Sequence, residues 1–415
     1  MEPVAPTRAP RTSQVGTTER VGAPPRLSLG SDALRVTSGP RRVLPANSLG
    51  TTYTKHAAQA GGLTHAEAFK LMHEMGVKVV RLGAYWDAIQ AKGPDGYDFE
   101  EIDEQLALAR QYGMKVVLSV GIKSPGWPEA YIPDWAKPKQ LIPDKPATLR
   151  GKVDAWLGAN WNFYRKVRGE NAPPTNLAQD PDLRRHALAY AGKLVAHVAA
   201  NEHIVAFQVE NEPGMPFGPR HDYVGWDFVQ EEARAIRAAD PFGRPLAMNS
   251  SIPPRDQEKK MISSGLFSLV GFDIYPKPAG NFLGKDRPGS IGVDMRMNRA
   301  PRAAKAFAEK HGLETYVAEM QAEPWTVVGW NPGKTMTNFH AQRRNGFDMI
   351  MPWNIGYVFK ELKNGNRSEF DAWKQIGREL EAGTPPPPPP GLLDKARSVW
   401  RHLGELWTGV DSGKL

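Results

Sequence analysis

The chain has 415 residues, 24% charged and 40% hydrophobic, the composition of a folded globular protein with room for one large domain or two ordinary ones. It contains no Cys, which excludes disulfides and thiolate chemistry, and no apolar run long enough to span a bilayer. The formal charge of +8 is weighted to the ends, with seven Arg against three acids in residues 1–45 and four basic against three acidic residues in 391–415. The middle keeps only a small excess, so no nucleic-acid partner is expected.

Residues 1–45 are rich in Pro, Arg, Ser and Thr without a sustained period and are predicted to be a disordered arm. They show no apolar signal-peptide core, which leaves the compartment open: extracellular or periplasmic if a signal was removed, otherwise cytoplasmic. From there, short apolar runs alternate with amphipathic stretches. The strand candidates are 48–54, 77–86, 114–121, 204–212, 245–251, 268–276, 315–321 and 346–354. Their near-continuous apolar character suits parallel strands covered on both faces. Helix signals lie between them. Thr64 and Glu67 form a capping-box pattern, and Asp98 precedes a long amphipathic run closed by Gly113. Pro301 suits a first helical turn, and Ser368 precedes the helix-like "EFDAWKQIGREL".

Eight strands alternating with helices over residues 46–383 predict a (β/α)8 TIM barrel of the α/β class, with a two-domain α/β protein as the rival. A long loop is expected after strand three, holding Trp156 and Trp161. Residues 384–390, "TPPPPPP", read as a stiff polyproline linker. In 391–415 an apolar stripe including Leu392, Ala396, Val399, Leu403 and Trp407 predicts an amphipathic C-terminal helix that docks on the barrel or on a partner.

In such a barrel chemistry sits at the C-terminal ends of the strands. Strand two carries Arg81 and ends in Tyr85-Trp86, and strand three runs into "KSPGWPEAYIPDW" with Trp127. Strand four ends in Glu210-Asn211-Glu212, within "QVENEPG". Strand six ends in Tyr275, strand seven in Glu319, and strand eight in Trp353-Asn354. Two carboxylates facing each other across a cleft are the equipment for glycoside hydrolysis, and aromatic rings are expected beside them because sugars present apolar C–H faces. No cofactor is called for. The ten His show no H-E-x-x-H spacing, and there is no P-loop, G-x-S-x-G or dinucleotide turn.

These residues resemble those of the clan of retaining glycoside hydrolases with (β/α)8 barrels, which place Asn-Glu at the end of strand four and Glu at the end of strand seven. "QVENEPG" is similar to the acid/base motif of β-galactosidase family 35. The stretch from Tyr85 to Gly121 is similar to families 35, 42 and the cellulase-like family 5. The match is to the clan rather than to one family: no His follows strand three, and Pro213 follows Glu212. The resemblance implies that Glu212 is the general acid/base and Glu319 the nucleophile. It implies that Asn211 bonds the sugar 2-hydroxyl, that Arg81 and Tyr275 orient Glu319, and that Trp353 lies under the sugar. Trp86 and Trp127 are further candidate sugar contacts, each with plain packing as the alternative. Glu323 rivals Glu319 but lies farther out. Glu210 reads as the structural partner of a basic residue, and a rim salt bridge is the alternative for Arg81.

The expected activity is hydrolysis of β-glycosidic bonds in an oligo- or polysaccharide by double displacement. The alternatives are a transglycosylase and a barrel that binds carbohydrate without cleaving it.

Overall fold

The computed structural model describes residues 42–138, 175–215, 222–275, 281–282, 285–286, 299–324 and 330–388. The part of the expected long loop that holds Trp156 and Trp161, the expected C-terminal helix, and all but the last four residues of the N-terminal arm lie outside these residues.

Eight parallel strands close into a barrel: β1 Ser48–Tyr53, β2 Val77–Gly83, β3 Lys115–Val120, β4 Ile204–Val209, β5 Leu246–Ser251, β6 Leu269–Ile274, β7 Glu314–Gln321 and β8 Met349–Trp353. Each pairs with its neighbours in chain order, and β8 closes on β1. All eight sequence-predicted strands are present. Helices cross between them, including α1 His65–Glu74, α2 Glu100–Gln111, α3 Pro181–Val198, α4 Trp226–Ala239, α5 Asp256–Ile262, α6 Ala300–Lys310, α7 Pro332–Arg344, α8 Ile355–Lys363 and α9 Ser368–Glu381. No described helix is long and apolar enough to cross a membrane.

The helix signals act as their chemistry requires. Thr64 Oγ1 accepts from the Glu67 N–H at 3.2 Å, while the Glu67 carboxylate accepts from the Thr64 N–H at 2.8 Å. Gly113 follows α2 with φ +66°, the left-handed conformation that ends a helix cleanly. Ser368 is the first residue of α9 rather than its cap, a shift of one position from the sequence reading.

Inside the barrel the strands change character along their length. The lower layer is apolar and includes Val79, Val117, Ala206, Ala247, Leu269, Tyr316 and Met351. Two residues farther along, the inward positions become Arg81, Ser119, Gln208, Asn249 and Trp353, because side chains two apart share a face. Gly271 makes room for this filling: a Cβ there would lie 2.6 Å from the Tyr316 ring.

The floor comes from the residues just before β1. Leu44, 1% exposed, joins the inner cluster. The N–H groups of Val43 and Leu44 donate to the Glu314 carboxylate at 2.6 and 3.0 Å, and Arg42 pairs with Asp348. Residues 42–45, read as part of the disordered arm, therefore plug the barrel instead. An apolar side chain removed from water and satisfied backbone groups together outweigh the composition signal.

Candidate active site

Two strand ends deliver carboxylates by breaking their regular backbone. In β7, Val317 pairs with Phe272 of β6 but Glu319 pairs with the next residue, Asp273. Against β8, Val317 pairs with Ile350 and Met320 with Pro352. One extra residue is thus inserted relative to both neighbours. Tyr316 and Ala318 face the interior, so strict alternation would turn Glu319 outward; the bulge turns it back toward the barrel mouth. At the end of β4 the chain instead takes positive φ at Glu210 (+59°) and Glu212 (+42°), a conformation uncommon outside glycine.

Glu319, 5% exposed, has a donor for each oxygen. Arg81 pairs with Oε1 and the Tyr275 hydroxyl donates to Oε2 at 2.7 Å. Arg81 is fully buried and held by Thr52 Oγ1 (2.9 Å) and Gln208 Oε1 (3.4 Å). Burial and the Glu319 charge push the Tyr275 hydroxyl well above its ordinary value, which keeps it a donor. Two donors, one of them cationic, fix the Glu319 carboxylate from both sides.

Glu212, 7% exposed, has the opposite setting. No donor among the described residues reaches its carboxyl, although its main chain is firmly held. Its N–H donates to Asn249 Oδ1 at 2.7 Å, and its carbonyl accepts from Lys123 Nζ at 2.9 Å. Burial first, then the charges of Glu319 and Glu129, push its carboxyl well above the usual carboxylate range, with Lys123 opposing. Glu212 therefore holds a proton at pH values where an ordinary Glu is ionised.

The remaining residues surround this pair. Asn211 Oδ1 accepts from Asn249 Nδ2 at 2.9 Å. The Trp353 ring lies 6.0 Å from the Arg81 guanidinium, and its indole bonds Glu323. Glu323 thus meets the edge of the Trp353 indole, while Glu319 is the carboxylate that Arg81 and Tyr275 bond. Trp127 is 68% exposed on the loop after β3. Trp86 is not at the mouth. The strand ends at Gly83, the chain turns into the short helix Trp86–Ile89, and Trp86 is 0% exposed. It stacks on Tyr190 at 5.5 Å and donates to Gln90, so it belongs to the helix layer and offers no face to a sugar.

Glu210 corrects the sequence reading in a different way. Its oxygens accept from the N–H groups of Ile122 (2.8 Å) and Lys123 (2.5 Å), and its side-chain partner is Glu232 of α4 rather than a basic residue. Two carboxylates cannot hydrogen-bond unless one carries a proton. Burial pushes Glu210 up to about 7 and Glu232 well above the usual range. Gly121, at φ +129°, lets the chain pass beneath this pair; a Cβ there would meet the Glu210 carboxyl at 2.5 Å.

The sequence reading missed four residues. Asn249 and Asp273 stand at inward positions at the ends of β5 and β6, and counting alternate residues from Ala247 and Leu269 reaches both. Asn249 Nδ2 also donates to Asp273 Oδ2 at 2.9 Å. Lys123 is fully buried, bonds the carbonyls of Glu212 and Met215, and pairs with Glu129 at 3.3 Å. Burial pushes Glu129 up to about 7 against the pull of Lys123. Among the described residues no group of three or more His, Asp or Glu is arranged to hold a metal ion.

The sequence profile of the β-galactosidase family, glycoside hydrolase family 42, matches residues 58–224. No curated protein matches the chain. Among solved structures, the fold is similar to a β-galactosidase from the psychrophilic Marinomonas ef1, with 12% identity, 80% of this chain and 59% of that one covered, and a TM-score of 0.54. It is also similar to the exo-β-1,4-mannosidase Op5Man5 from an Opitutaceae bacterium, with 14% identity, 81% and 60% covered, and a TM-score of 0.50. A third is GH5_18 from Streptomyces cattleya in complex with GlcNAc, with 15% identity, 85% and 87% covered, and a TM-score of 0.56. The chain thus spans about three fifths of the first two proteins and most of the third. At these identities the likeness speaks for the fold.

Proposed function

We propose that this chain is a retaining glycoside hydrolase acting on β-glycosides. The observation that carries the reading is the contrast between two buried carboxyls at the barrel mouth. Arg81 and the Tyr275 hydroxyl hold the two oxygens of Glu319, while Glu212 is buried with no donor from the described residues and feels the Glu319 charge. One is prepared to attack and the other to give a proton. The family match over residues 58–224 supports the same chemistry.

In this reading Glu319 attacks the anomeric carbon as Glu212 protonates the leaving oxygen, and a glycosyl–enzyme ester forms. Once the ester has neutralised Glu319, Glu212 is free to ionise and takes a proton from the water that hydrolyses it. The two carboxyls are expected about 5–5.5 Å apart, the separation of a direct displacement. Asn211 bonds the 2-hydroxyl, Trp353 lies under the sugar, and Trp127 offers a ring farther out; Trp86 has no part. The relatives suggest which sugars to try: β-galactosides, β-mannosides and mannosyl-β-1,4-N-acetylglucosamine.

Digestion of an aryl β-glycoside and oligosaccharide panel, with NMR of the first-formed product, tests the reading. Cleavage should give a product with the substrate's anomeric configuration. Inversion would overturn the retaining mechanism, and no cleavage of any β-glycoside would overturn the enzyme.

A further inference from the structure

We infer that Asn249 is a positioning residue that decides which end of the Asn211 amide a substrate meets, while fixing the main chain of Glu212. The inference rests on the reading above. Asn249 is fully buried at the inward end of β5. The Glu212 N–H donates to one end of its amide at 2.7 Å. A backbone N–H can only donate, so that end is the oxygen. The other end is therefore the NH2 group, which donates to Asn211 Oδ1 and Asp273 Oδ2, each at 2.9 Å. Asn211 in turn has its oxygen engaged and its NH2 donors to give.

This order has a chemical consequence. A sugar hydroxyl meeting the Asn211 NH2 accepts that bond and keeps its own proton for a carboxylate. If Asn249 lacked its donor, Asn211 would be free to turn over and present a carbonyl, and the hydroxyl would spend its proton there. Asn249 thus acts on the reaction through Asn211 and Glu212 without meeting the substrate.

Kinetics of Asn249→Ala, Asn211→Ala and the double variant, on an aryl β-glycoside and its 2-deoxy counterpart, test this. Asn249→Ala should lower kcat about tenfold or more, and the double variant should lose far less than the product of the single losses, as coupled sites do. The Asn249→Ala loss should shrink on the 2-deoxy substrate. Multiplying losses, or an equal loss on both substrates, would overturn the inference. Asn249→Asp keeps the shape should the alanine variant fail to fold, and it gives a readout without turnover. The Asn211 side-chain amide protons, assigned by their disappearance in Asn211→Ala, should exchange with solvent about tenfold more slowly once they bond the new carboxylate. Unchanged or faster exchange would overturn the inference. An inert wild-type enzyme would instead remove the hydrolase reading, and the exchange measurement would still decide what Asn249 does.

Discussion

The ends of β4 and β7 each bring a glutamate to the same mouth, yet they treat it in opposite ways. At β7 the side chain itself is held, with Arg81 on one oxygen and Tyr275 on the other. At β4 the main chain is held, by Asn249 and Lys123, and the carboxyl is left to the electrostatic consequences of burial. Donors on both oxygens fix where a carboxylate points. Fixing it through the backbone settles the place and leaves the carboxyl without a donor among the described residues, as the proposed acid/base role requires.

Removing each carboxylate tests this contrast most severely. Glu319→Ala should lower turnover by about 10⁴-fold or more. Azide should then restore product as a glycosyl azide of inverted configuration, read by NMR. Full activity would take Glu319 out of the reaction and move the nucleophile to Glu323, whereas a glycosyl azide of retained configuration would exchange the roles of the two strand ends. Glu212→Ala should cost about 10²–10⁴-fold on substrates with poor leaving groups and far less in the first step on activated aryl glycosides. Azide there should give the retained product. The sign of the pH effect follows from the raised Glu212 carboxyl: wild-type activity falls as pH rises and that proton is lost, and Glu212→Ala should abolish this alkaline limb.

Smaller changes sharpen the comparison. Lys123→Met strips the donor from the carbonyls of Glu212 and Met215 and leaves Glu129 without its cation. Breaking such a buried pair costs about 3–5 kcal/mol, so thermal unfolding should show a clear drop in Tm. A kcat that falls while KM holds would locate the damage at Glu212; an equal effect on both would not. Glu232→Gln should have the mildest effect. Glu210 and Glu232 are both raised above their unfolded values, so their shared proton stabilises the fold at low pH and that contribution is lost as pH rises through about 7 and beyond. An amide gives Glu210 a donor at every pH. The variant should match wild type at pH 5 and melt about 2 °C or more higher at pH 8; parallel Tm curves would show that the pair shares no proton.

Much of this was legible in the sequence because the barrel's strands are apolar runs with polar ends. Arg81, Glu212, Tyr275, Glu319 and Trp353 each follow such a run, and period-two counting also reaches Asn249 and Asp273. The rest depends on the path of the chain in three dimensions. Nothing in "TYVAEMQ" announces a bulge, since a bulge exists only relative to the ladders on either side. Lys123 and Glu129 lie on a loop whose course is set by what it packs against. Trp86 was misplaced because "VKVVRLGAYW" continues its apolar pattern after the strand has turned into a helix. Glu210 looked like half of an ion pair because a proton shared between two acids leaves no mark in composition.

The extra residue in β7 also sets a reading frame for anyone who edits this protein. Removing Ala318 would take out the extra residue and restore regular alternation, with Glu319 still turned to the cleft and Met320 to the helices. A single-residue deletion there should leave the Glu319 carboxylate in the cleft and cost far less activity than Glu319→Ala. Loop grafting and deletion libraries on this scaffold therefore need to count phase through residues 317–319 against the neighbouring strands rather than along β7 alone.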